Sequence, residues 1–127
     1  MGKITGLGGV FIKANDPKAL AEWYQQHLGI NFNGNVYTDF PLTDEQGKVL
    51  PGSNVLSFFK VDTDYFDPSK KQTMINLRVE GLFELLDKLK AEGVTIVGDP
   101  MDEDYGKFGW ILDLEGNKIE LWEPPAQ

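Results

Sequence analysis

One carboxylate stands where it could do chemistry. Glu120 sits in the run Lys118-Ile119-Glu120-Leu121-Trp122, which has the apolar character of a β-strand. Successive side chains of a strand point to opposite faces. Glu120 therefore shares a face with Lys118 and Trp122 and opposes Ile119 and Leu121. A carboxylate aimed into a concave sheet can bind a metal ion or take a proton from a substrate; on an open face it is only a solvated charge. The same alternation in residues 72–79 (QTMINLRV) puts Met74, Asn76 and Arg78 on one face and Ile75, Leu77 and Val79 on the other. In residues 4–13 it groups Phe11 with Lys13. Trp110 and Phe58 from neighbouring strands join this set, and Tyr105 marks the entry to the last hairpin. Aromatic and methionine side chains with a few polar groups are the make-up of a small-molecule pocket. Large side chains that merely fill the space would read the same way. Arg78 and Glu120, if buried, need partners, and they could satisfy each other.

Other chemistries are excluded or weak. Without cysteine there is no thiol nucleophile, disulfide or zinc–thiolate site. His27 is the single histidine, which rules out a histidine-rich metal site. It falls beside an apolar helical stripe, where a structural role is the commoner one. The glycines at 6, 8 and 9 precede a strand instead of linking it to a helix, the wrong context for a phosphate loop. Asp62-x-Asp64-x-x-Asp67 lacks the glycine and final glutamate of a calcium loop and reads as a solvated linker. Asp102-Glu103-Asp104 reads as an exposed acidic loop. The net charge of −8 argues against nucleic acid and anionic membranes as partners. No apolar run approaches signal-peptide or transmembrane length, so a cytoplasmic location is expected.

The elements that must position these residues come in a repeated order. Residues 4–13 form a strand. Asp16 as N-cap and Pro17 at the first helical position start a helix over 16–28. Its apolar stripe is Leu20, Trp23, Tyr24, His27 and Leu28, and Gly29 stops it. Residues 30–32 and 35–40 flank Asn33-Gly34 as a hairpin. A polar loop over 41–52 leads to a strand over 54–61, and residues 62–71 (DTDYFDPSKK) form a linker. The order then recurs: a strand over 72–79, and a helix over 82–91 with Leu82, Leu85, Leu86 and Leu89 at helical spacing. A strand over 94–97, an acidic loop over 98–106 and the hairpin of 105–124 complete it. Gly9–Asp16 aligns with Met74–Gly81, and residues 116–122 align with 52–58. Self-similarity of this kind marks two copies of one supersecondary unit. The reading is therefore an α+β protein of 127 residues in a single domain. It has two βαβββ modules, residues 1–62 and 72–127, whose eight strands form a curved mixed sheet around a cavity.

Paired βαβββ modules, a first helix of the form DPKALAEWYQQHLGI and a last strand of the form EGNKIELWEP resemble the vicinal oxygen chelate superfamily. That group includes glyoxalase I, bleomycin-resistance proteins and extradiol dioxygenases, and the resemblance spans nearly the whole chain. It implies metal ligands on the first and last strands of each module. Carried over, those positions are Gly9, Leu56 (Ser57 in the adjacent register), Met74 and Glu120. Of these only Glu120 is a plausible ligand, whereas catalytic sites usually supply three protein donors. The expectation is no bound metal and no cofactor. Two functions follow from the resemblance. One is a metal-free protein that sequesters a small aromatic or cationic ligand, as bleomycin-resistance proteins do. The other is a lyase or isomerase that uses Glu120 as general base or completes a partial metal site with its substrate. A homodimer is implied in both.

Overall fold

The structure is a computed structural model that describes residues 2–125. Strand β1, Lys3–Ala14, leads into helix α1, Pro17–Leu28. The Asp16 carboxylate accepts from the Ala19 amide at 3.0 Å and caps the helix. Gly29 closes it at φ 69°, its amide donating to the Gln25 carbonyl, a conformation that favours glycine. Strands β2 (Tyr37–Thr43) and β3 (Val49–Lys60) complete the first module. The second runs β4 (Thr73–Glu80), α2 (Leu82–Ala91), β5 (Met101–Glu103), β6 (Gly106–Leu112) and β7 (Lys118–Glu123). One mixed sheet results, in the order β2-β3-β1-β4-β7-β6-β5. Its two halves join edge to edge within the chain: β1 lies antiparallel to β4, and β3 and β7 flank them in parallel. This is the expected α+β architecture, with seven strands among the described residues where the sequence suggests eight.

Both helices cover the same side of the sheet. Val79, Leu82, Leu85, Leu86 and Leu121 form the core under α2, with Leu77, Ile111 and Ile119 packed around it. Under α1, Ala21, Phe32 and Phe58 are buried against Ile12, Ala14, Leu20 and Tyr24. Here the helical stripe is narrower than expected. Trp23 and Leu28 are 51% and 56% exposed, and His27 lies beside Trp23 with ring centroids 4.9 Å apart. A short helix on a sheet buries only the sector facing it, and Leu20, Ala21 and Tyr24 fill that sector.

Glu123 organises the start of α2. Gly81, at φ 75°, has no side chain to cap the helix. The Glu123 carboxylate reaches over from β7 and accepts from the amides of Gly81 at 3.1 Å and Leu82 at 3.0 Å. An acidic group at a helix N-terminus also meets the positive end of its dipole. Glu123→Ala is expected to cost about 1–2 kcal/mol, to be read as a shift of the urea midpoint at unchanged slope.

Four further stretches differ from the sequence reading. Residues 30–32 are not a strand: Phe32 is buried under α1, and the Thr38 hydroxyl donates to the Asn31 carbonyl. The expected loop over 41–52 is mostly strand, with its turn confined to 44–48. There Asp44 Oδ1 accepts from the amides of Gln46 and Lys48. Asp113 repeats the device for Glu115 and Asn117, and Gly47 and Gly116 both lie at φ 80°. Gly116 thus corresponds to Gly47, not to Gly52 as the residue alignment has it. Residues 94–97 make a single bridge, Ile96 to Ile111, before Gly98 turns the chain away at φ 70°. The acidic loop that follows contains β5. No helix among the described residues is long and apolar enough to cross a membrane.

Candidate functional site

Register decides which residues meet on the sheet face opposite the helices. Gly9 pairs with Asn76, Asn76 with Glu120, and Glu120 with Trp110, a row that crosses β1, β4, β7 and β6. Gly9 also pairs with Val55 of β3. One row over, Phe11 pairs with Met74. The expected quartet therefore shifts: the residue beside Glu120 is Asn76, not Met74, and Val55 stands where Leu56 was placed.

Glu120 is 4% exposed, so it is not a solvated charge. Its carboxylate accepts from Asn76 Nδ2 at 2.7 Å, from Trp110 Nε1 at 3.0 Å and from the Tyr65 hydroxyl. Trp110 Nε1 also reaches the Tyr65 hydroxyl oxygen at 3.3 Å. The Lys118 ammonium donates to the Tyr65 carbonyl at 2.7 Å and stands 5.2 Å over the Tyr65 ring. Burial lowers the Lys118 pKa, with the charges of Glu120, Asp67 and Asp64 opposing. Asn76 Oδ1 is buried without a hydrogen-bond partner among the described residues. Its amide fits only because Gly8 has no side chain: a Cβ there would lie 2.0 Å from that oxygen.

Tyr65 belongs to residues 62–71, which the sequence reads as a solvated linker. The segment folds over the concave face instead. Phe66 is fully buried and packs with Phe11 and Met74, Ser69 is 3% exposed, and Lys13 Nζ stands 5.2 Å over the Phe66 ring. Two cavities among the described residues lie elsewhere. One of about 690 Å³ runs between the end of β1 and the exposed side of α1 and is lined by Lys13, Trp23 and Gln72. Another, of about 530 Å³, is lined by Arg78, Leu42, Leu50 and Pro124.

The expected site residues divide accordingly. Phe11, Lys13, Met74, Asn76, Trp110 and Glu120 gather around the inserted segment. Phe58 does not: it pairs with Ile12 and points toward α1. Its neighbour Phe59 takes the concave side, stacked on Tyr65 at 5.6 Å. A run of two phenylalanines leaves this choice open until the register with β1 settles it. Arg78 does not pair with Glu120. It donates to the carbonyls of Leu7 at 2.6 Å and Ser53 at 3.3 Å and to Asn54 Oδ1 at 3.1 Å, and burial lowers its pKa. Trp122 stacks on Phe108 at 6.4 Å, its buried Nε1 without a hydrogen-bond partner among the described residues. Tyr105 is 61% exposed and touches Phe108 alone among the aromatic rings. Sequence reasoning missed Tyr65, Phe66 and Phe59. The signal for the first two was an aromatic pair inside an otherwise polar stretch.

Burial, and next the charge of Glu120, pushes the Tyr65 phenol above its ordinary value of 10.0. The unfolded chain loses this proton near pH 10 and the folded chain keeps it. The stabilising contribution is thus complete below pH 10 and is lost as pH rises from there through the folded value. In an ultraviolet titration, the difference between wild type and Tyr65→Phe is expected to show one phenol that ionises only above pH 10. Ionisation of that phenol below pH 10 would contradict the buried contact.

Gly9 and Val55 carry no donor, Asn76 offers an amide, and the one carboxylate already accepts from three groups. Among the described residues no three His, Cys, Asp or Glu side chains cluster as a metal site. The row through Glu120 thus supplies one carboxylate and one amide, where catalytic metal sites usually have three protein donors. Residues 6–121 match the model of the glyoxalase/bleomycin resistance protein/dioxygenase superfamily, and the chain belongs to that superfamily. Methylmalonyl-CoA epimerase from Mycobacterium tuberculosis is similar in structure, with TM-score 0.61 and 24% identity over 97% of this chain and 90% of that one. A single-residue variant of Streptomyces coelicolor methylmalonyl-CoA epimerase, in complex with 2-nitronate-propionyl-CoA, gives TM-score 0.68 and 16% identity over 98% and 100%. A superfamily member from Vibrio splendidus 12B01 gives 0.57 and 11% over 95% and 99%. At these identities the likeness is one of fold. No curated protein matches the sequence.

Proposed function

We propose that this protein binds a small molecule on the concave face and does so without a resident metal ion. The observation that carries the reading is the state of Glu120, a buried carboxylate walled by aromatic rings and engaged with three hydrogen-bond donors. Such a group reads donors on a ligand. The test is elemental analysis of protein purified without chelator, then titration with Mn, Fe, Ni and Zn followed by thermal shift. The expected result is no bound metal and no shift. A metal held by Glu120 and two further protein donors at roughly 2.0–2.3 Å would overturn it.

A second reading, a lyase or isomerase with Glu120 as general base, draws support from the Tyr65 contact: the carboxylate already faces an O–H donor, as a base must. The methylmalonyl-CoA epimerases of like fold lend it a reaction class. Glu120→Gln separates the two, with a loss on the order of 10²–10⁴ in rate for a base. For a reader of ligand donors it shifts affinity by about 1–3 kcal/mol. The proposal includes a cytoplasmic homodimer. Tyr37 and Phe40 on the edge strand β2, and Val49 beside it on β3, are 54%, 42% and 61% exposed, and open sheet edges call for cover. Light scattering that gives a monomer mass at micromolar concentration would count against it.

A further inference from the structure

We propose that the concave face is built to receive an aromatic ring carrying one hydroxyl or amino donor, and that Tyr65 is its built-in occupant, displaced when such a ligand binds. This rests on the small-molecule reading above and names the ligand class.

The surroundings of the Tyr65 ring are those of a receptor. Phe59 lies parallel to it, with an interplanar angle of 2° and centroids 5.6 Å apart. Trp110 meets it edge-on at 86° and 6.4 Å. Lys118 places its ammonium over the ring face, a cation–π contact. At the ring's far end Glu120 accepts from the hydroxyl, and Trp110 Nε1 donates to it. These four residues all stand on strands β3, β6 and β7, whereas Tyr65 comes from the connecting segment. The walls are held in the sheet ladder and the occupant stands on the connecting segment.

The segment is also divided in a way that permits exchange. Phe66 is fully buried and Ser69 nearly so, which pins the segment to the sheet. Tyr65 is only partly buried, so its side chain can leave while Phe66 stays. A free phenol would find stacking, cation and hydrogen-bonding groups already in place. The neighbouring Asn76 Oδ1 has no donor among the described residues, so the row holds one acceptor more than they satisfy. A ligand that must displace Tyr65 binds more weakly by the fraction of molecules in which the ring is out.

The probe is p-cresol, which has the atoms of the tyrosine side chain, with toluene as the donor-free control. Calorimetry and thermal shift are run on wild type, Tyr65→Phe and Tyr65→Ala. Tyr65→Phe keeps the ring's packing but releases the hydroxyl contact. It is expected to bind p-cresol on the order of tenfold more tightly than wild type. Tyr65→Ala should bind it more tightly still, with toluene weaker in every case, and adding Glu120→Gln, whose amide oxygen still accepts but carries no charge, should narrow the preference for p-cresol over toluene. Equal affinities for wild type and Tyr65→Phe, or no preference for p-cresol over toluene, would overturn the proposal. A parallel screen of small carboxylates, thioesters and alkylamines, read by thermal shift, separates the small-molecule reading from the phenol class. A hit there with none for p-cresol leaves the small-molecule reading standing and rejects the phenol class. Silence from every compound, including with Tyr65→Ala, rejects both.

Discussion

Phe66→Ala is expected to destabilise the protein by about 3–5 kcal/mol, a loss typical of the hydrophobic core. Phe66 is fully buried between Phe11 and Met74, with Phe59 against its edge at 5.3 Å. Truncation would remove a large apolar surface and leave a cavity that the sheet cannot close, because β1 and β4 are fixed by their ladder. The result distinguishes two descriptions of residues 62–71. A solvated connector tolerates substitution within about 0.5 kcal/mol, whereas a plug that completes the concave core does not. Urea denaturation of wild type, Phe66→Ala and Phe66→Leu measures it, with Phe66→Leu intermediate. A loss under about 1 kcal/mol for Phe66→Ala would mean that the segment is only laid on the sheet.

The fold was legible because most of its determinants are local. Asp16-Pro17 and Gly29 bound α1, and four leucines at helical spacing define α2 within the bounds the sequence indicates. Alternation places Leu77 and Val79 under α2 and Asn76 on the far side. What failed depended on register or on tertiary cover. Trp23 and Leu28 have the apolarity of core residues, but how wide a sector α1 buries is set by the sheet beneath it. Residues 94–97 have the composition of a strand, yet the turn at Gly98 leaves them one bridge.

The site was legible to the same extent and for the same reason. Phe11, Met74, Asn76, Trp110 and Glu120 follow from alternation once each strand is recognised. Choosing Phe59 over Phe58 requires the β1–β3 register, which no single strand encodes. Tyr65 and Phe66 were hidden by the polar residues around them: Asp62, Asp67, Lys70 and Lys71 stay exposed and, with Asp64, dominate the composition. Two aromatic side chains suffice to anchor the segment, so average polarity says little about its placement. Arg78 shows the converse. Opposite charges on one face suggest a pair, but Arg78 and Glu120 lie on different rows of the sheet, and the backbone carbonyls of β1 and β3 take the guanidinium.

Glu120 is where charge and hydrogen bonding can be told apart. Glu120→Leu is expected to cost about 3–5 kcal/mol, since it leaves Asn76 Nδ2 and the Tyr65 hydroxyl without their acceptor and Trp110 Nε1 with only the longer contact to Tyr65. Each buried donor so stranded costs about 1–3 kcal/mol. Glu120→Gln is expected to lie within about 1 kcal/mol of wild type. The glutamine oxygen still accepts from Tyr65 and Trp110. Its new NH2 group faces Asn76, whose Oδ1 lacks a donor; rotating the Asn76 amide by half a turn converts the contact into a new hydrogen bond. The substitution also removes a buried charge that acts on Lys118, whose ammonium donates to the Tyr65 carbonyl. If electrostatics with Lys118 held the site together, the two variants would lose similar amounts of stability. If donor satisfaction holds it, only Glu120→Leu does, and denaturant midpoints for the pair decide between them.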